Sequence, residues 1–295
     1  MANKWIAGAR PRTLPAAVVP VLVGTAAAVH ASGKWNHGVI VWRALAALVV
    51  SLAIQIATNY ANDYSDGVKG TDSAGRVGPT RLVASGLASP KAVKRAAFAA
   101  FGVAAIAGLA LAAVAGWWLI GVGVASFLAG WFYTGGPRPY GYAGFGELFV
   151  FVFFGIVATA GSTYVQRETF TGVSFAVAVP VGLFATALLV VNNLRDIPTD
   201  AKTGKRTLAV RLGERRTRIL YVVLMTVPFL TLPFIAGLSR VGAALAFVAL
   251  PSARKPAEIV LGGATGRELI PVLGRTGRVQ LLFGAFLAIG LAISA

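Results

Sequence analysis

The chain has 295 residues, 57% of them hydrophobic and only 13% charged, with a mean hydropathy of +0.74. Soluble domains carry roughly 25% charged residues, so the composition excludes a water-soluble globular protein, and the lack of cysteine excludes disulfides, thiolate metal sites and cysteine nucleophiles. A formal charge of +17 would suit a nucleic-acid binder, but the basic residues lie between apolar runs and lack the aromatic interleaving of a single-strand binder.

Apolar runs of roughly 17–22 residues predict membrane-spanning helices. They fall near 13–29, 42–63, 92–116, 117–134, 147–164, 170–194, 217–238, 239–253 and 276–294. The expectation is therefore an all-α, polytopic integral-membrane bundle of about nine helices, with residues 1–295 forming one membrane domain. The eighth span is weak. Val241 to Pro251 is short for a crossing unless the helix continues to Leu261. Arg10 and Arg12 precede a first run that continues past Val29, and no Ala-x-Ala-like site with an extracellular domain follows, which argues against a cleavable signal. Placing the N-terminus in the cytoplasm puts 23 of the 27 basic residues on the inner side and only Lys34, Arg43, Arg167 and Arg240 outside. The positive-inside rule selects that orientation. His30 and His37 then lie on the outer side and are assigned no function.

Only ten acidic residues occur, and five fall in two short stretches. In the first, Asn59, Asn62, Asp63 and Asp66 end an apolar run at spacings i, i+3, i+4 and i+7, which places them on one helical face; Asp72 follows. In the second, Asn192, Asp196 and Asp200 recur at steps of four, although Pro198 should disturb the helix and present Asp200 from a turn. Four carboxylates converging at the inner mouths of two helices would repel unless cations sit between them. Oxygen donors of this kind suit magnesium, held partly by carboxylates and completed by water and phosphate oxygens. The competing reading makes the same residues solvated helix caps.

A basic, glycine-rich loop follows each cluster. The first carries Lys69, Gly70, Arg76, Gly78-Pro79-Thr80-Arg81 and Gly86; the second carries Lys202, Gly204, Lys205 and Arg206. Glycines let amides approach an anion, and Lys or Arg add charge-assisted bonds to phosphate oxygens, so Lys69, Arg81, Lys202 and Lys205 are candidate diphosphate ligands. Neither loop matches a nucleotide-binding Walker A pattern.

Asn62-Asp63-Tyr64-Ser65-Asp66 and Asp196-Ile197-Pro198-Thr199-Asp200 resemble the Asn-Asp-x-x-Asp and Asp-x-x-x-Asp motifs of the UbiA superfamily of intramembrane prenyltransferases, in kind and in place, and the resemblance extends over most of the chain. Ala9-Arg10-Pro11-Arg12-Thr13-Leu14-Pro15, the stretch from Gly78 to Gly86 and Tyr133-Thr134-Gly135-Gly136-Pro137 look like the menaquinone-pathway branch, the 1,4-dihydroxy-2-naphthoate polyprenyltransferases. One departure is visible: many relatives place a third Asp where this chain has Gly70, with Asp72 two residues further on.

The resemblance implies a magnesium-dependent transfer of a polyprenyl group from prenyl diphosphate to 1,4-dihydroxy-2-naphthoate, with loss of carbon dioxide and diphosphate, in a bacterial cytoplasmic membrane with the active site inside. Asp63, Asp66, Asp196 and Asp200 are the expected catalytic and metal-binding carboxylates, with Asn59 and Asn62 as further metal ligands. The acceptor's carboxylate needs a cationic or amide partner, for which Arg12, Arg138 and Lys205 are candidates, with Tyr133 and Asn192 as further acceptor-binding residues; Arg12 serves equally as a membrane-topology anchor. Other prenyl acceptors (4-hydroxybenzoate, homogentisate, a lipid head group) are the alternatives within this class. An ion-coupled transporter is the alternative outside it, although acids at span ends suit it less than acids at mid-span.

Overall fold

The computed structural model describes residues 3–29, 39–72, 77–78, 80–238 and 240–295. His30, Lys34, His37, Arg76 and Pro79 lie outside the described residues. Helices account for nearly all of the regular structure, in this order: α1 (Lys4–Ala9), α2 (Pro15–Ala27), α3 (Val41–Val68), α4 (Pro90–Ala115), α5 (Leu119–Phe132), α6 (Gly146–Arg167), α7 (Gly172–Lys202), α8 (Leu208–Gly237), α9 (Leu250–Leu261) and α10 (Leu269–Ile293). No strand occurs among the described residues.

Six of these are long and apolar enough to cross a bilayer: α3, α4, α6, α7, α8 and the segment Gly266–Ile293 that contains α10. The chain is thus a multi-pass membrane protein. Every predicted span meets a helical segment, but α2 and α5, at 13 and 14 residues, reach only about 20 Å against a hydrocarbon core of about 30 Å. The eighth span is built in two parts. Val241–Ala249 winds as a 3-10 helix and runs directly into α9, so the helix does continue to Leu261. The larger rise of a 3-10 helix brings the pair to roughly 36 Å. Its tight winding accompanies a very close crossing with α10. A Cβ added at Gly290 would sit 1.8 Å from the Gly242 carbonyl oxygen, so only glycine fits there.

The main core joins α2, α7, α8, Val241–Ala249, α9 and α10 around Phe184, Tyr221, Phe229 and Phe283. Within its most apolar stretch α7 is 67% buried, against 17% for α3, so α7 is the central post and α3 stands at the periphery. A smaller cluster binds Tyr60 and Ala61 of α3 to Leu82, Val93 and Ala97. Of the basic residues expected outside, the described ones, Arg43, Arg167 and Arg240, gather at one end. Arg43 bonds the Val165 carbonyl and pairs with Glu168, while Arg240 bonds the carbonyls of Val29 and Leu291. The carboxylate clusters occupy the opposite end.

Pro198 does not break α7. The helix runs on to Lys202 and presents both Asp196 and Asp200 from helical positions, which corrects the expected turn. Pro198 is exposed and deprives only the Leu194 carbonyl of its helical donor, a tolerable loss one turn from the helix end.

Candidate active site

The C-terminal ends of α3 and α7 border one cavity of about 800 Å³. Its mouth is polar, with Asn62, Asp66, Asp196, Asp200 and Lys205 on the wall. Further in, it becomes apolar, with Leu109, Val124, Phe127 and Phe154. The two acidic segments therefore share a chamber, as their common side required.

On α3 the carboxylates divide. Asp63 is fully buried, and its two oxygens accept the backbone amides of Leu82 and Val83 at 2.8 and 3.0 Å. It faces the loop and does not line the cavity. Charge-assisted bonds of this kind are each worth about 1.5–3 kcal/mol, so Asp63 anchors the loop that carries Arg81 and Asp72. Asp66, one turn nearer the mouth, does line the cavity; it accepts from the Tyr142 hydroxyl at 2.5 Å and from Lys205 Nζ at 2.9 Å. Burial, reinforced by Asp66, pushes the Tyr142 phenol up, which keeps Tyr142 a donor at neutral pH. Asn62 Oδ1 accepts from Thr134, and Asn59 Nδ2 donates to the Ala9 carbonyl, fastening the N-terminal segment to α3. Asp72 pairs with Arg81 at 3.1 Å.

On α7, Asp196 receives both arms of the Arg195 guanidinium at 2.8 Å each, a bidentate pair buried on both sides. Gly78 lets the first loop close over this pair. A Cβ there would lie 3.2 Å from the guanidinium. Asp200 borders the cavity, and its carbonyl accepts the Lys205 amide, folding the second loop back so that the Lys205 ammonium lies over the Tyr142 ring. Among the described residues no three carboxylate or histidine groups converge on one point that could hold a metal ion. The arrangement therefore differs from a four-carboxylate cage; a hard ion here would be held by one or two carboxylates and by phosphate or water oxygens.

The remaining expected ligands scatter. Lys69 turns from the cavity to bond the carbonyls of Thr134 and Gly136, and Lys202 and Arg138 are exposed and away from it. Arg12, Tyr133 and Asn192 line the cavity, Arg12 as an exposed group at its edge. Sequence reasoning missed Tyr142, Arg195, Thr134, Asn193 and Glu147. Glu147 carried a signal, since it is an acid inside an otherwise apolar run; it is 7% exposed and accepts from Asn193.

The UbiA prenyltransferase family model matches residues 17–255. The 1,4-dihydroxy-2-naphthoate octaprenyltransferase of Mycobacterium tuberculosis is 50% identical over 98% of this chain and 97% of its own. The protein of the same name from Escherichia coli is 37% identical over 98% and 95%. Among solved structures, an apo UbiA homolog from Aeropyrum pernix superposes with a TM-score of 0.69 at 14% identity, covering 98% of this chain and 99% of that one. A UbiA homolog from Archaeoglobus fulgidus bound to DMAPP and Mg2+ superposes at 0.60 and 13%, covering 99% and 100%. Those structural likenesses establish the fold, and the family match with the near-full-length identities establishes descent: this chain belongs to the UbiA prenyltransferase family.

Proposed function

We propose that this chain transfers a polyprenyl group from prenyl diphosphate to 1,4-dihydroxy-2-naphthoate, with release of carbon dioxide and diphosphate, to give demethylmenaquinol, the hydroquinone form of demethylmenaquinone, and that the whole chain acts as one catalytic unit. Its carboxylate end faces the cytoplasm of a bacterial cell in this reading. The observation that carries it is a cavity that is ionic at one end and hydrocarbon-lined at the other, the shape and polarity of a polyprenyl diphosphate. The names of the near-full-length relatives support the naphthoate acceptor.

The oxygen donors fit a hard divalent ion, which supports magnesium, with Asp66 and Asp200 as the residues that would hold it. Bound there, magnesium would neutralise charge on the diphosphate leaving group. Lys205 and Arg81 reach phosphate oxygens from the two loops, while Arg195, clamped by Asp196, keeps a fixed positive charge on the same wall. The carbon–oxygen bond breaks with its electrons passing to the diphosphate; the electron-rich ring then forms the new carbon–carbon bond, and its carboxylate departs as carbon dioxide. A cation at the allylic carbon needs dry, electron-rich walls. Tyr133, Tyr140 and Phe149 form a contiguous aromatic wall, with ring centroids 5.5 and 4.0 Å apart in succession. The hydrocarbon tail occupies the apolar part and excludes water.

The test is incubation of purified protein with magnesium, labelled prenyl diphosphate and a panel of aromatic acids, followed by mass identification of products. The expected product is the dihydroxynaphthoate gaining the prenyl group and losing carbon dioxide. Exclusive prenylation of another acceptor, or none, overturns the assignment.

A further inference from the structure

Glu147 is the one buried glutamate of the five in the chain; Glu168, Glu214, Glu258 and Glu268 are all exposed. It occupies the first turn of α6, where unpaired helix amides favour a carboxylate. It does not border the cavity. Its Oε1 accepts Asn193 Nδ2 at 3.0 Å, and Asn193 does border the cavity while being 6% exposed. A carboxylate only accepts, so it fixes which way the amide is turned. With Nδ2 committed to Glu147, Oδ1 is left on the cavity side, and among the described residues it accepts no hydrogen bond.

Position decides what that oxygen meets. Asn193, Asp196 and Asp200 share a face of α7 at i, i+3 and i+7, and Asn193 lies about 4.5 Å deeper than Asp196 along the axis. It stands just beneath the layer read above as the diphosphate site, where the reacting ring must lie. Across the cavity, Asn62 is turned the opposite way, since the Thr134 hydroxyl occupies its Oδ1 and leaves its Nδ2 as a donor. One wall at this depth donates and the other accepts.

We propose that Asn193 Oδ1 binds a ring hydroxyl of the aromatic acceptor and that Glu147 is the positioning residue that holds the amide in the accepting orientation. This rests on the acceptor reading above and extends it to the choice of hydroxylated rings. A hydroxyl donates to Oδ1, whereas an amide turned the other way would present only N–H groups and forfeit that bond.

The experiment compares wild type, Glu147→Gln, Asn193→Asp and the double variant in liposomes, with separate KM values for dihydroxynaphthoate and prenyl diphosphate. Glu147→Gln lets the amide turn over, and the acceptor KM should rise about tenfold while the donor KM stays within about twofold. Asn193→Asp alone opposes two carboxylates and should be at least as impaired. The double variant restores a donor against an acceptor and leaves an oxygen facing the cavity, so its acceptor KM should return to within about threefold of wild type. Additive losses in the double variant, or equal rises in both constants, overturn the proposal. Should the charge variants fail to fold, competition by the two monomethyl ethers of the acceptor decides: wild type should discriminate against one of them about tenfold, and Asn193→Ala should abolish that preference. An unchanged preference overturns it. A wild-type enzyme inert toward every hydroxylated aromatic acid would sink the functional reading and this inference together, whereas an active enzyme without rescue sinks this inference alone.

Discussion

The segments at the ends of α3 and α7 look alike in sequence and are built alike in one respect: each devotes one carboxylate to architecture and turns another to the cavity. Asp63 is held by two loop amides and Asp196 by a bidentate arginine, while Asp66 and Asp200 stand nearer the mouth. They differ in what does the holding. Backbone amides make Asp63 a hinge for a whole loop, so its loss would release Leu82, Val83 and, through them, Arg81. A side-chain partner makes Asp196 part of a local charge pair that still borders the cavity. Two aspartates of one motif are thus not interchangeable, and the motif spacing alone does not say which one meets the ligand.

The sharpest way to break this comparison is to remove the two carboxylates nearer the mouth. Asp66→Ala and Asp200→Ala should each lower prenyl transfer at least about a thousandfold, roughly 4 kcal/mol of transition-state stabilisation, in protein that still purifies as a folded monodisperse species; chelation of magnesium should silence the wild type equally. Prenyl-transfer assays in liposomes check this, and near-normal turnover in either variant would refute the division. Asp63→Ala should act first on stability. One buried and one partly buried amide lose their acceptor, a cost of about 3 kcal/mol that thermal unfolding in detergent should show, with Asp63→Asn recovering part of it. A variant at Asp63 that is inactive yet as stable as wild type would return this residue to the metal site.

Smaller effects sharpen the picture. Lys205→Ala removes the ammonium shared by Asp66 and Tyr142 and should raise the KM for the prenyl donor about ten- to a hundredfold while sparing that for the acceptor, as steady-state kinetics with each substrate varied would show. At the far end of the scale, Lys202→Ala and Arg138→Ala should change either constant by less than about twofold, because both side chains are exposed and away from the cavity. A large loss in either would mean that the inner loops reorganise around the bound diphosphate.

The amino-acid sequence by itself determined the membrane class, the apolar segments, the common side of the two acidic clusters and the family, because each depends on composition, on runs of apolar residues or on short motifs that are local in the chain. It also placed Asp66, Asp200, Lys205, Tyr133 and Asn192 in one chamber's neighbourhood. Tertiary structure decided the rest. Whether Asp63 faces a loop or a ligand depends on a rotation of a few tens of degrees about the α3 axis and on amides 19 and 20 residues away. Tyr142 reaches Asp66 across 76 residues, and Glu147 meets Asn193 across 46. The eighth segment attains its length as a 3-10 helix pressed against α10 through Gly242 and Gly290, a contact no periodicity announces. Local spacing specifies which residues share a face; only the packing of distant helices specifies what that face meets.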